Sequence, residues 1–402
     1  MKKETEISPF RKGIVGVQFL FVAFGATVLV PLLIGIDPAI ALLTAGIGTL
    51  IFHLVTKGIV PIFLGSSFAF VAPIIKATEL YGLSGALSGI LGVSLVYFLM
   101  SAIIKWRGIA LVHKLFPPIV VGPVIMLIGL SLAKSAVHMS ESNWVLALVS
   151  LTVSTMVSIK GTGLLRLISV FCGIFAGYMV ALAFFYVDMQ PVADAPWFYL
   201  PEFTFIQFSW EAVLYMIPVA VAPVIEHIGD VYVVNTVADK DFTENPGLHR
   251  TMFGDGLACL FASFIGGPPV TTYSEVTGAM TVTKVTDPKV IRVAAITAIL
   301  FSVLGKVNAL LRTIPESVLG GIMLLLFGTI AGAGVFNLIH NKVNLSNIRN
   351  IAIFGITMTL GIGDACLNMG NFSMGGIGLS ALVAIILNIV LPSQKNEELT
   401  EE

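Results

Sequence analysis

Charge is what this 402-residue sequence has least of. Asp, Glu, Lys and Arg make up 11% of it, and they nearly cancel, to a net charge of −1; ordinary globular chains carry about 25% charged residues. That balance implies neither a nucleic-acid partner nor an acidic one. Cysteine is scarce as well. Cys172, Cys259 and Cys366 lie far apart in apolar segments, without metal-ligand spacing, and read as packing residues. No metal or organic cofactor is implied. Apolar residues fill the gap: 56% of the chain is hydrophobic and the mean hydropathy is +0.97. Such a chain is solvated largely by lipid. The apolar stretch after the charged N-terminal residues 1–12 is too long for a signal-peptide core and lacks a small-residue cleavage pattern. It reads as a first spanning helix.

A spanning helix needs roughly 20 apolar residues. Fourteen candidate segments follow, centred near residues 25, 47, 69, 93, 127, 151, 176, 220, 259, 275, 301, 328, 356 and 382. Loops between them are brief except residues 188–207, which hold three acids, three prolines and no Lys or Arg. With the N-terminus inside, eighteen of the 22 Lys and Arg fall on the inner side, and only Lys76, Lys134, Lys306 and Arg312 on the outer. This is the bias of a cytoplasmic face, with both termini inside. The charged stretch 238–250 reads as a solvated cytoplasmic turn. Asn371-Phe372-Ser373 is a chance sequon.

Against that background Glu226 stands out. It ends the apolar run 212–225, and a carboxylate at such depth costs about 2.5–3.5 kcal/mol on insertion scales unless it faces a cavity, a partner or a proton. Asp230 follows one helical turn later. Glu275 lies in a second interrupted stretch, 266–278, with Gly266, Gly267, Pro268 and Pro269 at its start. The third segment, 61–73, is interrupted in the same manner by Pro61, Gly65, Ser66, Ser67 and Pro73. These stretches occupy position three of two seven-span halves. Paired interruptions of this kind point to a transporter site at the midplane, because non-helical backbone survives there only where it lines a cavity or is buried in protein. An odd number of spans per half would make the repeats inverted. A pair of proline kinks that only shapes packing is the plainer alternative.

At these residues the chain resembles the nucleobase–ascorbate transporter family, and within it the bacterial uracil permeases. The likeness runs through Phe24-Gly25-Ala26-Thr27, Gly65-Ser66-Ser67-Phe68-Ala69-Phe70, Phe116-Pro117-Pro118, Glu226-His227-Ile228-Gly229 and residues 245–250. The family signature appears as Glu275-Val276-Thr277-Gly278, continuing to Thr283-Lys284. The resemblance implies an all-α polytopic membrane protein with fourteen segments in a 7+7 inverted repeat and short strands in segments 3 and 10. It implies a core domain (13–112 and 209–313), a gate domain (113–208 and 314–392) and cytoplasmic tails at 1–12 and 393–402, commonly in a homodimer. Carried over, it gives Glu226 and Glu275 the N–H groups of a nucleobase. Backbone near Phe70 and Ser274 takes the carbonyl oxygens. Phe68, Ala69 and Phe327 would complete the substrate site. Glu at the first signature position is the form of uracil-type members.

The chain departs from the family pattern at Phe19, Asp230, Val276 and Phe327. With the second His of segment 8 replaced by Asp230, proton coupling would fall to Glu275, Asp230 or Glu226, and sodium stays an alternative coupling ion. The function implied is inward proton symport of uracil or a close relative; a xanthine or purine permease and a sulfate-type anion carrier of the same fold are the alternatives. Gly361-Ile362-Gly363-Asp364 matches the Gly-x-Gly-Asp of intramembrane aspartyl proteases, but the companion Tyr-Asp and Pro-Ala-Leu elements are missing, so no enzyme is expected. His227 reads as a hydrogen-bonded packing residue and Asp255 as a cap or pairing residue. Glu316 reads as an interfacial loop residue.

Overall fold

In the computed structural model the described residues are 8–369 and 372–392. Residues 1–7 of the expected N-terminal tail, the expected tail 393–402 and Asn371 of the sequon lie outside them, while residues 9–12 of the expected N-terminal tail already belong to the helix Pro9–Ile34.

Helices start and stop where the sequence is punctuated. Pro follows the N-cap residue at Ser8-Pro9, Asp37-Pro38 and Asp287-Pro288, and each cap side chain accepts a first-turn N–H. Pro needs no N–H partner at that position and its φ is already helical. Gly35 and Gly266 close the helices Pro9–Ile34 and Leu248–Ile265 in the left-handed conformation. Five described helices or helix runs are long and apolar enough to cross a membrane, and Trp210–Val219 with Val221–Ala238 forms a sixth candidate bent by 44°. The helices Trp144–Lys160, Ser169–Ala183, Ile348–Ile362 and Gly376–Val390 are apolar but shorter. Large apolar side chains face outward, among them Leu54, Trp106 and Ile159, as a lipid-solvated surface requires.

The helices pack in two groups. One joins Pro9–Ile34, Pro38–Val55, Val71–Arg107, Trp210–Val219, Leu248–Ile265 and Pro288–Ser302. The other joins Pro118–Ser131, Ala133–Glu141, Trp144–Lys160, Ser169–Ala183, Glu316–His340, Ile348–Ile362 and Gly376–Val390. Close packing in each relies on glycine. A Cβ on Gly92 would meet the Val213 carbonyl, and one on Gly334 would meet that of Gly122.

Inside the first group two short strands meet. β1 (Leu64–Ser66) pairs antiparallel with β2 (Val270–Thr272), in the register Leu64 to Thr272, Gly65 to Thr271 and Ser66 to Val270. Each strand follows a helix and leads into another, through a 3-10 turn at Phe68–Phe70 on one side and directly into Ser274–Thr283 on the other. Side chains of the preceding helices hold the strands. Thr49 Oγ1 accepts from Leu64 N–H at 2.9 Å, and Cys259 Sγ donates to Val270 O at 3.0 Å. Tyr273 Oη donates to Ser66 O at 2.7 Å.

The helical run Val71–Arg107 is two helices, as expected of segments 3 and 4, separated at Gly82, whose φ of 70° an L side chain rarely adopts. Two elements differ from the expectation. A second antiparallel hairpin, β3 (Cys366–Met369) with β4 (Phe372–Gly375), precedes the last helix. Glu316 begins the helix Glu316–His340 instead of ending a loop; Pro315 is its N-cap residue.

The long loop 188–207 is a strap over the first group. Tyr199 N–H donates to Val303 O and Gln207 N–H to Ser84 O. Lys306 Nζ donates to Val192 O at 2.8 Å and Ala193 O at 2.7 Å and lies over the Trp197 ring. Tyr199 Oη donates to Asp37 Oδ2 at 2.6 Å, beside Arg312 at 3.2 Å. Burial alone would raise the Asp37 carboxyl, but Tyr199, the Ala39 N–H and Arg312 outweigh it and hold it below the usual carboxylate range.

Candidate functional site

A cavity of about 360 Å³ opens between the two helix groups, within the range of small-molecule sites. The first group contributes Ala26, the β1 end and following turn (Ser66, Ser67, Phe68, Ala69), Glu226 with Gly229, and Thr271 to Tyr273 with Glu275. The second contributes Ile125 and Ile128 and one face of the helix Glu316–His340.

Glu226 and Glu275 both project into this space and are solvent-accessible there. Among the described residues no side chain pairs with either carboxylate, and no lining residue is Lys or Arg. Two unpaired carboxylates in one apolar-walled cavity are costly unless protonated or engaged by ligand donors. The backbone supplies the complementary groups. Neither the turn at Phe68–Phe70 nor the helix Ser274–Thr283 has a side-chain cap, so their first N–H groups remain donors at the cavity wall. Glu275 sits in the first turn of its helix, where the dipole favours a negative charge. The arrangement accepts from N–H groups and donates to carbonyls, with Phe68 on the cavity wall.

The remaining candidates lie behind this wall. Phe70 is fully enclosed in the core, so Phe68 is the ring that faces the cavity. Phe327 is also enclosed and meets Phe68 edge to face, with centroids 6.3 Å apart. Asp230 does not line the cavity. It accepts from Thr272 Oγ1 at 2.5 Å and Ser274 Oγ at 2.6 Å, one hydroxyl per oxygen, which pins β2 to its helix. Ser274 serves that lock with its hydroxyl. His227, next to Glu226, points the other way into full burial, with Nδ1 2.8 Å from Asp255 Oδ2 and Nε2 2.9 Å from Thr251 Oγ1. Asp255 Oδ1 is enclosed without a partner among the described residues, and the Tyr97 and Thr271 hydroxyls are enclosed facing each other.

Sequence reasoning passed over Ser66, Ser67, Thr271 and Thr272 as individual site residues, and the cavity face of Glu316–His340 altogether. That face had a signal: Ile330, Ala333, Asn337 and His340 recur at helical spacing, and the last two are polar in an apolar run.

The family profile of the xanthine and uracil permeases, described as a permease family, matches residues 11–370. The chain belongs to that nucleobase–ascorbate transporter family. The permease is 48% identical over 399 residues to a probable uracil permease of Haemophilus influenzae, covering 97% of this chain and 96% of that one. It is 42% identical to the uracil permease of Bacillus subtilis, covering 97% and 95%. In fold the permease is similar to the transmembrane domain of a cyanobacterial bicarbonate transporter, BicA, with a TM-score of 0.63 at 14% identity, covering 94% and 96%. It is likewise similar to murine Slc26a9, an anion transporter, with a TM-score of 0.66 at 11% identity, covering 96% and 69%. It is thus a multi-pass membrane transporter of the nucleobase permease family, with a fold shared by anion carriers.

Proposed function

We propose that the permease imports uracil, or a base presenting the same edge, by proton symport across the bacterial plasma membrane. The observation that carries this reading is the pair of unpaired carboxylates, Glu226 and Glu275, facing one cavity beside uncapped backbone N–H groups. Uracil offers two N–H donors and two carbonyl acceptors on a flat ring, a match for that set. Relatives named uracil permease, over nearly the full length, support the same substrate. The helix group bearing the strands acts as the core and the other as the gate, in a fourteen-segment 7+7 inverted repeat. Substrate is carried by alternating access, in a homodimer with both termini cytoplasmic. A proton on Glu226 or Glu275 travels with the base. Asp230 has both oxygens engaged by hydroxyls, which favours the two cavity acids for that role.

An anion substrate like that of the fold relatives is disfavoured by two acids and no Lys or Arg among the lining residues. A xanthine or purine substrate is the runner-up, since a purine also presents adjoining N–H and C=O groups. Radiolabelled uracil uptake into proteoliposomes, with and without an inward proton gradient, tests the reading. Gradient-driven uptake in the wild type and its loss in Glu226→Gln are expected, by at least about 100-fold, since a site built on hydrogen bonds discriminates strongly once one is broken. Uptake of xanthine but not uracil would move the substrate, and uptake driven only by sodium would overturn proton coupling.

A further inference from the structure

Resting on the reading of the cavity as a nucleobase pathway, we propose a second, weaker base site at its mouth. It is built around Asn337 on the last turns of the helix Glu316–His340.

Length is the first argument. Phe327 meets Phe68 at the level of the strands, and Asn337 comes ten residues later on the same helix. At 1.5 Å per residue that is about 15 Å along the axis, more than one six-membered ring can span. One base bound at Glu226 and Glu275 therefore leaves the Asn337 end of the cavity unfilled.

The second argument is what lies there. Phe336 and His340, one turn apart, stack at 5.4 Å with their planes within 22°, and both line the cavity. They form a stacked aromatic shelf. Asn337 lies between them in sequence, and its Oδ1 is enclosed without a hydrogen-bond partner among the described residues. Such an unmet acceptor is costly, and turning it onto a ligand N–H removes that cost. Asn341 is already committed, its Nδ2 donating to Asn337 O at 2.8 Å. Turned toward the cavity, the Asn337 carboxamide would present an acceptor and donors side by side, the complement of an adjoining N–H and C=O on a base edge. Ala333, one turn earlier on the same face, leaves room for the ring. With one neutral amide in place of two carboxylates, this site binds more weakly. The base would rest there between the strands and the solvent.

Equilibrium binding of radiolabelled uracil to the purified full-length chain tests this. The wild type should bind in two phases, approaching two bases per chain. Glu226→Gln should remove the tighter phase and Asn337→Leu the weaker, leaving the other in each case. His340→Leu keeps Asn337 but halves the shelf, and should weaken the second phase roughly two- to tenfold, the value of an aromatic contact. One base per chain in the wild type, unchanged by Asn337→Leu and His340→Leu, overturns the second site. No uracil binding by the wild type overturns the nucleobase reading itself and this inference with it.

Discussion

At the scale of single residues, the fate of His227 shows how a buried ionisable group is kept. The Thr251 hydroxyl donates to Leu248 O at 2.9 Å, so it must accept from His227 Nε2–H. Nδ1 then shares one proton with Asp255 Oδ2 across 2.8 Å, in a setting closed to solvent. Removing one partner of such a pair is costly, about 3–5 kcal/mol, while replacing both by apolar groups is often near neutral. Asp255→Leu should therefore lower the stability of the purified protein by about that amount in denaturant or thermal unfolding. The double variant His227→Leu/Asp255→Leu should regain most of it. A double variant as unstable as the two single changes added together would show that the pair is not coupled. The same logic separates this pair from Glu226, one residue away, which has no side-chain partner to lose among the described residues.

At the scale of elements, the strand crossing was legible because Gly and Pro at membrane depth demand an explanation and occur twice in matching positions. The acids beside it were legible for the same reason. The partners of Asp230 were not, because they come from β2 and the residue after it, 42 and 44 residues away in sequence. Nor was the hairpin β3–β4 legible in the short polar-tinged stretch between the last two helices, where nothing alternates strictly. The split between segments 3 and 4 is carried by a single residue, Gly82. The crossing itself depends on Gly65. A Cβ there would fall inside the Tyr273 ring, the ring whose hydroxyl ties β2's exit to Ser66 O. Gly65→Ala should cost about 1–3 kcal/mol by overpacking and, because the strands frame the site, abolish uracil uptake. Gly355→Ala is the matched control: nothing lies within 4 Å of its Cβ. It should stabilise by about 0.5–1 kcal/mol through helix propensity and leave uptake intact. Equal behaviour of the two variants would remove Gly65 from the argument.

At the scale of the whole molecule, the cavity reaches the His340 and Asn341 end of the helix Glu316–His340, and contacts away from that end join the two helix groups. One such contact joins Lys76, in the helix after β1, to Asp364, in the turn before β3, at 3.6 Å; Lys76 also meets Glu79 at 3.3 Å. Tyr215 Oη donates to Gly375 O at 3.4 Å on the same hairpin. In the proposed alternating-access cycle these contacts would break when the cavity reverses, so their strength would bias the two states. Both charged side chains are partly exposed, 35% and 65%, so solvent screens the pair and it contributes at most about 1 kcal/mol. Its removal in Asp364→Asn should shift the state ratio by no more than about fivefold, and the shift should vanish in high salt. The readout is the labelling rate of Ala333→Cys, on the cavity wall, by an impermeant thiol reagent applied from the mouth side. Cys172, Cys259 and Cys366 are first replaced by Ser. Labelling should slow in Asp364→Asn at low ionic strength and match the parent in 1 M salt, where the screening length is about 3 Å. A rate that does not change at low ionic strength would mean the hairpin contacts and apolar packing alone set which side is closed.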